Sequence, residues 1–300
     1  MHRVTIFTPT YNRARLLVDA YNSLKNQTCK DFEWLIIDDG SIDNTKTVVD
    51  SFIEDHVIDI IYIYQENRGQ YFAHNTAINN AKSELFAFLD SDDYYAQNTI
   101  ERILYFFDQI KDDNDFAGVA GLKANRKGIV VGTPCNYNVL RCSILDYRYK
   151  FKIKGDRFEC FKTDLVKKYP FPEFEGKFVP NALIWNRIGS LKKLLYFGEI
   201  MSFYEFSADS MSKDIIRNRQ STPDAYLLHY SELSRYKIPL YYKLRAIVNF
   251  WRFAPYSTIK FEEKILKVGI YKSIFCLPVG YFMYLKDVLY TKHILTIKEA

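Results

Sequence analysis

The sequence predicts an α/β protein in which a mostly parallel sheet is flanked by helices and followed by a helical C-terminal extension. Over the first hundred residues, apolar β-rich runs alternate with stretches of helical periodicity. The apolar runs are continuous, which is typical of parallel strands buried on both faces. From Pro223 onward, helical patterns dominate. We therefore expect two regions, 1–222 and 223–300.

The elements of the N-terminal half can be assigned in order. A short apolar run that stops at Pro9 reads as the first strand, and Asp43 or Asn44 is a suitable cap for the second helix. The predicted order is strand Val4–Phe7, helix Arg13–Asn26, strand Phe32–Ile37, a helix through Val48, Val49 and Phe52, strand Ile58–Tyr64, helix Ala73–Ala81 and strand Leu85–Leu89.

Beyond residue 100 the pattern is less regular. Apolar periodicity still predicts helices and strands, but residues 125–151 read as a loop-rich excursion. The expected elements are helix Thr99–Ile110, strand Ala117–Ala124, strand Arg157–Thr163, helix Ala182–Lys193 and a strand with a turn over Leu194–Phe206.

Composition excludes several classes of protein. With 300 residues, 48% hydrophobic and 26% charged, the chain is neither disordered nor collagen-like. Its five cysteines include no CxxC pair, which argues against a zinc ribbon or a disulfide framework and favours reduced thiols. No uncharged run exceeds the 13 residues of Ser273–Leu285, which are too few for a spanning helix, so no transmembrane helix is predicted.

An acidic cluster, Asp90-Ser91-Asp92-Asp93, directly follows the predicted fourth strand. Three carboxylates within four residues repel one another unless a cation neutralises them. Asp90 and Asp92 can share one cleft and offer the hard oxygen ligands that Mg²⁺ or Mn²⁺ prefers. The alternative is a solvated acidic turn in which Asp92 or Asp93 caps the next helix.

Three further polar segments follow the other predicted strands, at the edge where ligands bind in such sheets. Each has an ordinary structural explanation as a turn or as the start of a helix, and each can also contact a ligand. A carboxylate in the second segment could accept the ring N–H of a uracil. The segments are Thr8-Pro9-Thr10-Tyr11-Asn12-Arg13, Asp38-Asp39-Gly40-Ser41 and Glu66-Asn67-Arg68-Gly69-Gln70.

Together, these four blocks resemble family 2 glycosyltransferases, which are inverting, nucleotide-sugar-dependent enzymes of the GT-A fold. The resemblance covers residues 1–100, and a weaker continuation from Gly155 to Asn186 resembles a branch that acts in bacterial polysaccharide assembly. It implies that Thr8, Pro9 and Tyr11 line the base pocket and that Asp39 binds the uracil edge.

The same resemblance implies further contacts with the donor. Asp92 would ligate Mn²⁺ or Mg²⁺ beside the diphosphate, with Asp90 at the ribose or the hydration shell of the metal, and Asp156 would contact the donor sugar. Gln70 stands where the family usually has a basic residue, so Arg13 or Arg68 would supply that charge. The remaining residues of the implied nucleotide-sugar site are Asn67, Gly69 and Ser91.

An inverting transfer needs a general base, which the family places at the start of the helix after the acceptor loop. Asn181 occupies that position here and cannot accept a proton at neutral pH. Three explanations stay open. Glu175 or Glu173 supplies the base, the chain is an engineered form with its base neutralised, or the protein binds the donor without efficient transfer.

Positive charge is concentrated at the C-terminus. Residues 235–300 carry 12 Lys and Arg against 4 Asp and Glu, a balance of +8, which leaves −3 for the rest of the chain. Basic residues interleaved with aromatic ones suit an anionic membrane surface, and the alternatives are a helical subdomain packed on the core or, least favoured, nucleic-acid binding.

The sequence therefore predicts a cytoplasmic glycosyltransferase, peripheral on the inner face of a bacterial membrane. It would transfer a hexosyl or N-acetylhexosaminyl unit from a UDP-sugar to a polyprenyl-diphosphate-linked saccharide in capsule or other polysaccharide assembly, and no nucleic-acid partner is expected. The alternative is a nucleotide-sugar-binding protein or a disabled enzyme. The absence of any GxG motif disfavours dehydrogenases and nucleotidyltransferases.

Overall fold

A computed structural model describes residues 2–174, 176, 178–204 and 215–299. The chain packs as two compact units. The first contains Met1–Pro172 and Arg187–Ala208, and the second contains Glu173–Asn186 and Asp209–Ala300.

The first unit is built on one sheet, which has nine strands in the described residues. The strands are β1 (Val4–Thr10), β2 (Phe32–Asp38), β3 (Asp59–Tyr64), β4 (Leu85–Phe88), β5 (Asp93–Tyr95), β6 (Phe116–Asn125), β7 (Val139–Ser143), β8 (Arg157–Lys162) and β9 (Lys193–Tyr204). Their order is β3-β2-β1-β4-β8-β6-β9-β5, and β7 pairs with β9.

Parallel pairing joins β3, β2, β1 and β4. Strand β8 runs antiparallel to both β4 and β6, so β6 has the direction of the first four strands. The predicted α/β class and mostly parallel sheet are confirmed.

Helices cover both faces of this sheet. They are α1 (Leu17–Lys25), α2 (Thr45–Glu54), α3 (Gln70–Asn80), α4 (Thr99–Asp108) and α5 (Thr163–Lys168). On one face, α1, α2 and α4 bury a core that includes Tyr21, Trp34 and Phe52. The rings of Tyr21 and Phe52 stack with centroids 4.1 Å apart, so some of the aromatic residues that make up 17% of the sequence lie in this core.

On the opposite face, α3 buries His74 among three aromatic rings. Its imidazole lies 4.9 Å from the Phe7 ring, 5.6 Å from Phe88 and 5.1 Å from Phe171, measured between centroids. Burial lowers the pKa of His74 to about 3, so the ring is neutral in the folded protein at neutral pH.

Two predicted boundaries and one predicted loop need correction. The first helix begins at Leu17 instead of Arg13, because the residues before it form a tight turn in which the Arg13 carbonyl accepts a hydrogen bond from the backbone N–H of Leu16 at 3.0 Å. The helix predicted to end at Lys193 ends at Gly189. The supposed loop 125–151 contains β7 and a π-helical turn, Asp146–Lys150.

The second unit is helical over 215–299, as predicted from Pro223 onward. Its helices are α7 (Ile215–Ser221), α8 (Pro223–Leu233), α9 (Leu240–Phe253), α10 (Phe261–Val268) and α11 (Ile270–Glu299), while α6 (Ala182–Gly189) begins in this unit. Helix α9 packs against both α8 and α11.

Within the described residues, no single helix combines the length and apolarity of a membrane span. Phe261–Val268 and Ile270–Leu289 meet that criterion only together, as a pair bent by 111°. The boundary between residues 222 and 223 stays a prediction.

Replacing His74 with leucine should flatten the acid dependence of stability. The unfolded chain binds a proton at His74 below about pH 6.5, whereas the folded protein does not until about pH 3. The free energy of unfolding should therefore fall by about 1.4 kcal/mol per pH unit from this residue as the pH drops through that window. Denaturant titrations between pH 4 and 7 measure the slope.

His56→Asn is the matched control, since His56 is exposed and its positive φ of 52° is one that asparagine tolerates. This control should keep the wild-type slope. An equal slope in His74→Leu and wild type would contradict the prediction.

Candidate active site

The predicted polar segments meet at one edge of the sheet. Strands β1, β2, β4 and β6 share one direction, so their carboxyl ends lie at the same edge. Strand β8 runs the opposite way, so its first residues lie there as well. Hydrogen bonds and ion pairs join the loops that leave these strand ends.

A buried carboxylate, that of Asp39, holds the loop after β3. Its Oδ1 accepts hydrogen bonds from Gln65 Nε2 at 2.7 Å and from the backbone N–H of Arg68 at 3.1 Å. Its Oδ2 accepts one from the backbone N–H of Gly69 at 2.8 Å, and the Asn67 amide donates to the Asp39 carbonyl at 2.8 Å. The residue is only 5% exposed.

This arrangement limits what Asp39 can offer a ligand. A carboxylate has about four acceptor positions, and three of them are occupied within the protein. The uracil contact implied by the resemblance would use the remaining one. Asp39 is therefore first a structural clamp between the ends of β2 and β3.

Gly40 allows this close approach. Its φ is +86°, and a Cβ atom at this position would stand 2.7 Å from the backbone nitrogen of Asn67. Any larger residue would push the two loops apart. The expected turn at Gly40 thus also serves the contact between strand ends.

A second set of bonds joins the loops after β1 and β2. The backbone N–H of Asn12 donates to Ser41 Oγ at 2.8 Å, and Asn12 Oδ1 accepts from the backbone N–H of Ile42 at 2.8 Å. The backbone N–H of Ala14 donates to Asp43 Oδ2 at 3.2 Å. These bonds leave the ring of Tyr11 46% exposed beside the clamp loops, in a position to stack on a planar ligand.

Thr8 is placed differently from the expectation. Its side chain is fully buried, and its hydroxyl accepts a hydrogen bond from Trp34 Nε1 at 2.8 Å. Alternate residues of a strand point to the same face of the sheet. Thr8 therefore points to the same face as Val4 and Ile6, which belong to the core beneath α1, α2 and α4. The prediction that the Thr8 side chain lines the base pocket is therefore wrong. Pro9 lies on the other face of the strand and is half-buried.

Two basic side chains of the protein, Arg13 and Lys123, pair with the acidic cluster after β4. Arg13 Nη1 lies 3.0 Å from Asp92 Oδ2 and donates to Ser91 Oγ at 3.3 Å. Lys123, near the end of β6, forms an ion pair with Asp93, and its Nζ lies 3.8 Å from Asp90 Oδ2. Burial opposes the charge on Lys123, but Asp90 and Asp93 outweigh it and raise the pKa of the ammonium.

These pairs revise the electrostatic argument from sequence. Counted as formal charges, three carboxylates against two cations leave −1. Burial and the charge of Asp90 raise the pKa of Asp93 to about 7, which reduces this negative charge further, so a metal ion is not required to hold the loop together. Asp93 is the first residue of β5, and the N-cap residue of α4 is Asn98. The expectation that Asp92 or Asp93 caps this helix is wrong.

The remaining donors still fit a divalent ion of the Mg²⁺ type. The side chain of Asp90 is 50% exposed and that of Asp92 is 20% exposed. Mg²⁺ is commonly bound by one or two carboxylates and completes its shell with phosphate oxygens and water. In the described residues, no group of three or more His, Cys, Asp or Glu side chains could enclose a metal. A metal here would therefore depend on a phosphate-bearing ligand.

The start of β8 forms the far side of this edge. Arg157 is buried, and its guanidinium donates to the carbonyls of Val131, Thr133 and Asp156 at 2.8 to 2.9 Å. It also donates to the Tyr147 hydroxyl at 2.7 Å. Asp156 is exposed next to this anchor. Arg157 thus fixes the backbone that presents the predicted donor-sugar contact.

The sequence alone does not identify the roles of Lys123 and Arg157. Lys123 is the one lysine of a strand otherwise made of small, apolar or amide residues, FAGVAGLKAN, and a charge in such a buried strand is an available signal. Arg157 follows Gly155-Asp156, but two of its carbonyl partners, Val131 and Thr133, lie in a loop that no local pattern connects to it.

The other predicted residues occupy separate places. Gln70 is the first residue of α3 and is half-buried, while the Arg68 guanidinium carbon lies 3.7 Å from the centroid of the Phe72 ring. Asn181 directly precedes α6 and belongs to the second unit, as does Glu173. Glu175 lies outside the described residues.

Comparison with known proteins places the chain in a family. The profile of glycosyl transferase family 2 matches residues 5–164, which is more than half of the chain and extends from the second residue of β1 through β8. The chain belongs to glycosyl transferase family 2, as its strand-end motifs predict.

Sequence relatives match about a third of the chain. An uncharacterized glycosyltransferase of Nostoc sp. is 38% identical over 105 residues, which are 35% of this chain and 33% of the relative. Glycosyltransferase GlyA of Streptococcus pneumoniae is 36% identical over 102 residues, 34% of this chain and 14% of the relative. The chain thus aligns with a third or less of the length of these two proteins.

Solved structures resemble nearly the whole chain. A 1–349 fragment of S. aureus TarS in complex with UDP-GlcNAc has a TM-score of 0.67 at 19% identity, covering 96% of this chain and 88% of that one. Mannosyltransferase PcManGT of Pyrobaculum calidifontis, in complex with GDP-Man and Mn²⁺, has a TM-score of 0.56 at 16% identity, covering 95% and 86%. The likeness establishes the GT-A fold and confirms the predicted fold class.

Replacing Asp39 with asparagine should weaken the fold as well as nucleotide binding. The amide would direct N–H groups at backbone N–H groups of Arg68 or Gly69, leaving a buried donor unpaired at a cost of about 1–3 kcal/mol. Chemical denaturation gives the free energy of unfolding, and calorimetry gives the affinity for UDP.

Asp112→Asn, at an exposed carboxylate, is the control and should change neither quantity. If Asp39→Asn lowered UDP affinity while leaving stability at the wild-type value, the clamp role would be refuted and a purely ligand-contacting role supported.

Proposed function

We propose that this protein is a glycosyltransferase that moves a sugar from a UDP-sugar to a saccharide acceptor with inversion. One observation carries the proposal. The four polar strand ends that resemble the family motifs lie at one edge of the sheet and are joined there by the Asp39 clamp and the Arg13–Asp92 ion pair.

The nature of the donor is argued from the neighbours and from the site. The TarS fragment was solved with UDP and with UDP-GlcNAc, which favours a uridine donor for this chain. The exposed ring of Tyr11 offers a stacking surface, and Asp39 keeps one acceptor position for a base N–H. A hexosyl or N-acetylhexosaminyl unit fits this donor class.

In the proposed mechanism, protein cations hold the diphosphate and protein carboxylates hold its counter-ion. Arg13 pairs with Asp92. When the donor binds, the Arg13 guanidinium would exchange this carboxylate for a phosphate oxygen. Asp90 and Asp92 would hold Mn²⁺ or Mg²⁺. When bound, the metal supplies Lewis-acid stabilisation of the diphosphate leaving group. Asp156, held in place by Arg157, would orient the donor sugar.

Inversion requires a single displacement in which a base removes the proton of the acceptor hydroxyl. Glu175 or Glu173 is proposed to supply this base, because Asn181 cannot.

The acceptor is proposed to be a saccharide carried on a polyprenyl diphosphate, in capsule or other polysaccharide assembly. A Bacillus subtilis relative, 34% identical over 104 residues, bears a name that refers to teichuronic acid biosynthesis.

The setting of the reaction follows from the acceptor. A lipid-linked saccharide would place the protein at the cytoplasmic face of the bacterial membrane, as a peripheral protein. The basic 223–300 region is proposed to provide the contact with anionic lipid.

A second candidate function is nucleotide-sugar binding without efficient transfer. The specific observation that favours it is Asn181 at the position of the family's base. Both candidates predict donor binding, so only turnover distinguishes them.

Asp92→Asn should abolish metal-dependent UDP binding. The variant keeps the size of the side chain and removes the charge that a metal needs, so we expect Mn²⁺ to raise UDP affinity at least about tenfold in wild type and not in the variant. Calorimetry of UDP with Mn²⁺ and with EDTA measures the difference.

Asp115→Asn is the control, since Asp115 is an exposed carboxylate paired with Lys193. It should keep the full effect of Mn²⁺. An equal effect of Mn²⁺ on wild type and Asp92→Asn would contradict the proposed metal site.

Asn181→Glu, Glu175→Gln and Glu173→Gln identify the base. The substitution that removes the base should lower the rate of sugar transfer about 10²–10⁴-fold, the usual contribution of acid–base catalysis, while donor affinity stays unchanged. If the base is missing, Asn181→Glu should raise the rate by a similar factor. Transfer of radiolabelled sugar at saturating donor gives all three rates.

Glu263→Gln is the control for these variants, because Glu263 is an exposed carboxylate of α10 in the second unit. It should keep the wild-type rate. No turnover by wild type or Asn181→Glu with any UDP-sugar tested, while donor binding is intact, would overturn the enzyme assignment in favour of the binding protein.

A further inference from the structure

Helix α11 exposes large apolar residues on one side, whereas small and polar residues take part in its packing on the other side. The side that packs toward α9 contains small and polar residues, and Ser273, Cys276, Gly280 and Asp287 are all buried. The opposite side carries large apolar residues that are exposed. We call them the outer face of α11: Tyr271, Ile274, Phe275, Phe282, Leu285 and Leu289.

The buried side explains why α11 holds this orientation. A Cβ atom on Gly280 would stand 2.6 Å from the carbonyl oxygen of Val248, so the two helices are in close contact there. One turn further along α9, Arg252 Nε and Nη2 donate to the Asp287 carboxylate at 2.6 and 2.7 Å. Turning the outer face inward would break this bidentate pair and leave buried charges unpaired.

The outer face is a continuous stripe. Apart from the neighbours Ile274 and Phe275, its successive residues are spaced by three, four or seven positions, which places them on one side of an α-helix. Phe275 is 78% exposed and Phe282 is 66% exposed. Contiguous apolar surface of this kind is rare on monomeric proteins in water and marks a site of contact with another apolar phase.

Charge indicates which phase covers the stripe. Between Ile270 and Leu289, the exposed side chains among Lys, Arg, Asp and Glu are Lys272 and Lys286, whereas Asp287 is buried in its pair with Arg252. A second copy of α11 packed on the stripe would bring these lysines toward one another. An anionic lipid surface would neutralise them.

Geometry favours a helix that lies on the membrane over one that crosses it. The lysines are 14 residues apart, a distance of about 21 Å along a helix, compared with a hydrocarbon core of about 30 Å. The other side of α11 is covered by α9, so only one side could contact acyl chains.

We propose that the outer face of α11 inserts into the interfacial region of an anionic bilayer, with Lys272 and Lys286 at the level of the head groups. This rests on the membrane contact in the proposed function and specifies which surface makes it. The binding does not need donor, acceptor or turnover. Vesicle binding can therefore fail or succeed independently of glycosyl transfer.

Flotation of the full-length chain with vesicles tests the proposal. Wild type should bind vesicles of phosphatidylcholine with about 30% phosphatidylglycerol and bind pure phosphatidylcholine vesicles at least about tenfold more weakly. Phe275→Glu and Phe282→Glu should each reduce partitioning about tenfold or more, since each removes an aromatic ring from the interface and adds a repelled charge. Lys272→Gln/Lys286→Gln should lose the preference for anionic vesicles and retain residual binding.

Leu191→Glu is the matched control, because Leu191 is 61% exposed in the first unit and gains the same charge. It should bind as wild type does. Circular dichroism and UDP affinity at wild-type values would show that the α11 variants are folded.

Two results would overturn the proposal. One is the absence of vesicle binding by folded wild type. The other is equal binding by wild type and Phe275→Glu/Phe282→Glu. If sedimentation equilibrium instead showed a dimer that these substitutions dissociate, with no vesicle binding, the outer face would be an interface between copies of the chain.

Discussion

The candidate site depends on the buried carboxylate of Asp39. Parallel strands bring their carboxyl ends to one edge of the sheet, but they do not determine how the loops beyond that edge are arranged. Asp39 pairs with backbone N–H groups of Arg68 and Gly69, so the loops after β2 and β3 act as one body. Gly40 permits the contact, and the bonds between Asn12 and Ser41 join the loop after β1. A hydrogen bond from a backbone N–H to a charged carboxylate is stronger than one to a neutral carbonyl.

The charge at the same edge of the sheet is set by ion pairs between residues that are distant in sequence. Arg13 from the loop after β1 and Lys123 from β6 neutralise two of the three carboxylates after β4. The remaining negative charge suits a cation that arrives with a diphosphate. In this arrangement the protein holds the loop in shape with its own cations, and a ligand would compete with Arg13 for Asp92.

Much of this site could be predicted from sequence because its parts are local. The motif at Asp38–Ser41 and the one at Asp90–Asp93 each follow a recognisable strand, and parallel topology then places them together. Thr8 is misassigned when the motif is given more weight than the alternation from Val4 and Ile6, which directs its side chain into the core. Lys123 and Arg157 escape sequence reasoning because their partners are distant in sequence, at Asp93 and at the carbonyls of Val131 and Thr133.

The strand-end site is proposed to bind a nucleotide-sugar and to transfer its sugar with inversion. The most direct measurement is proton NMR of the full-length protein with a panel of UDP-sugars, Mg²⁺ and saccharide acceptors. At least one UDP-sugar should bind, and its α-linked sugar should appear in the product with the β configuration. Binding of no UDP-sugar, or a product that retains the α configuration, would contradict this mechanism.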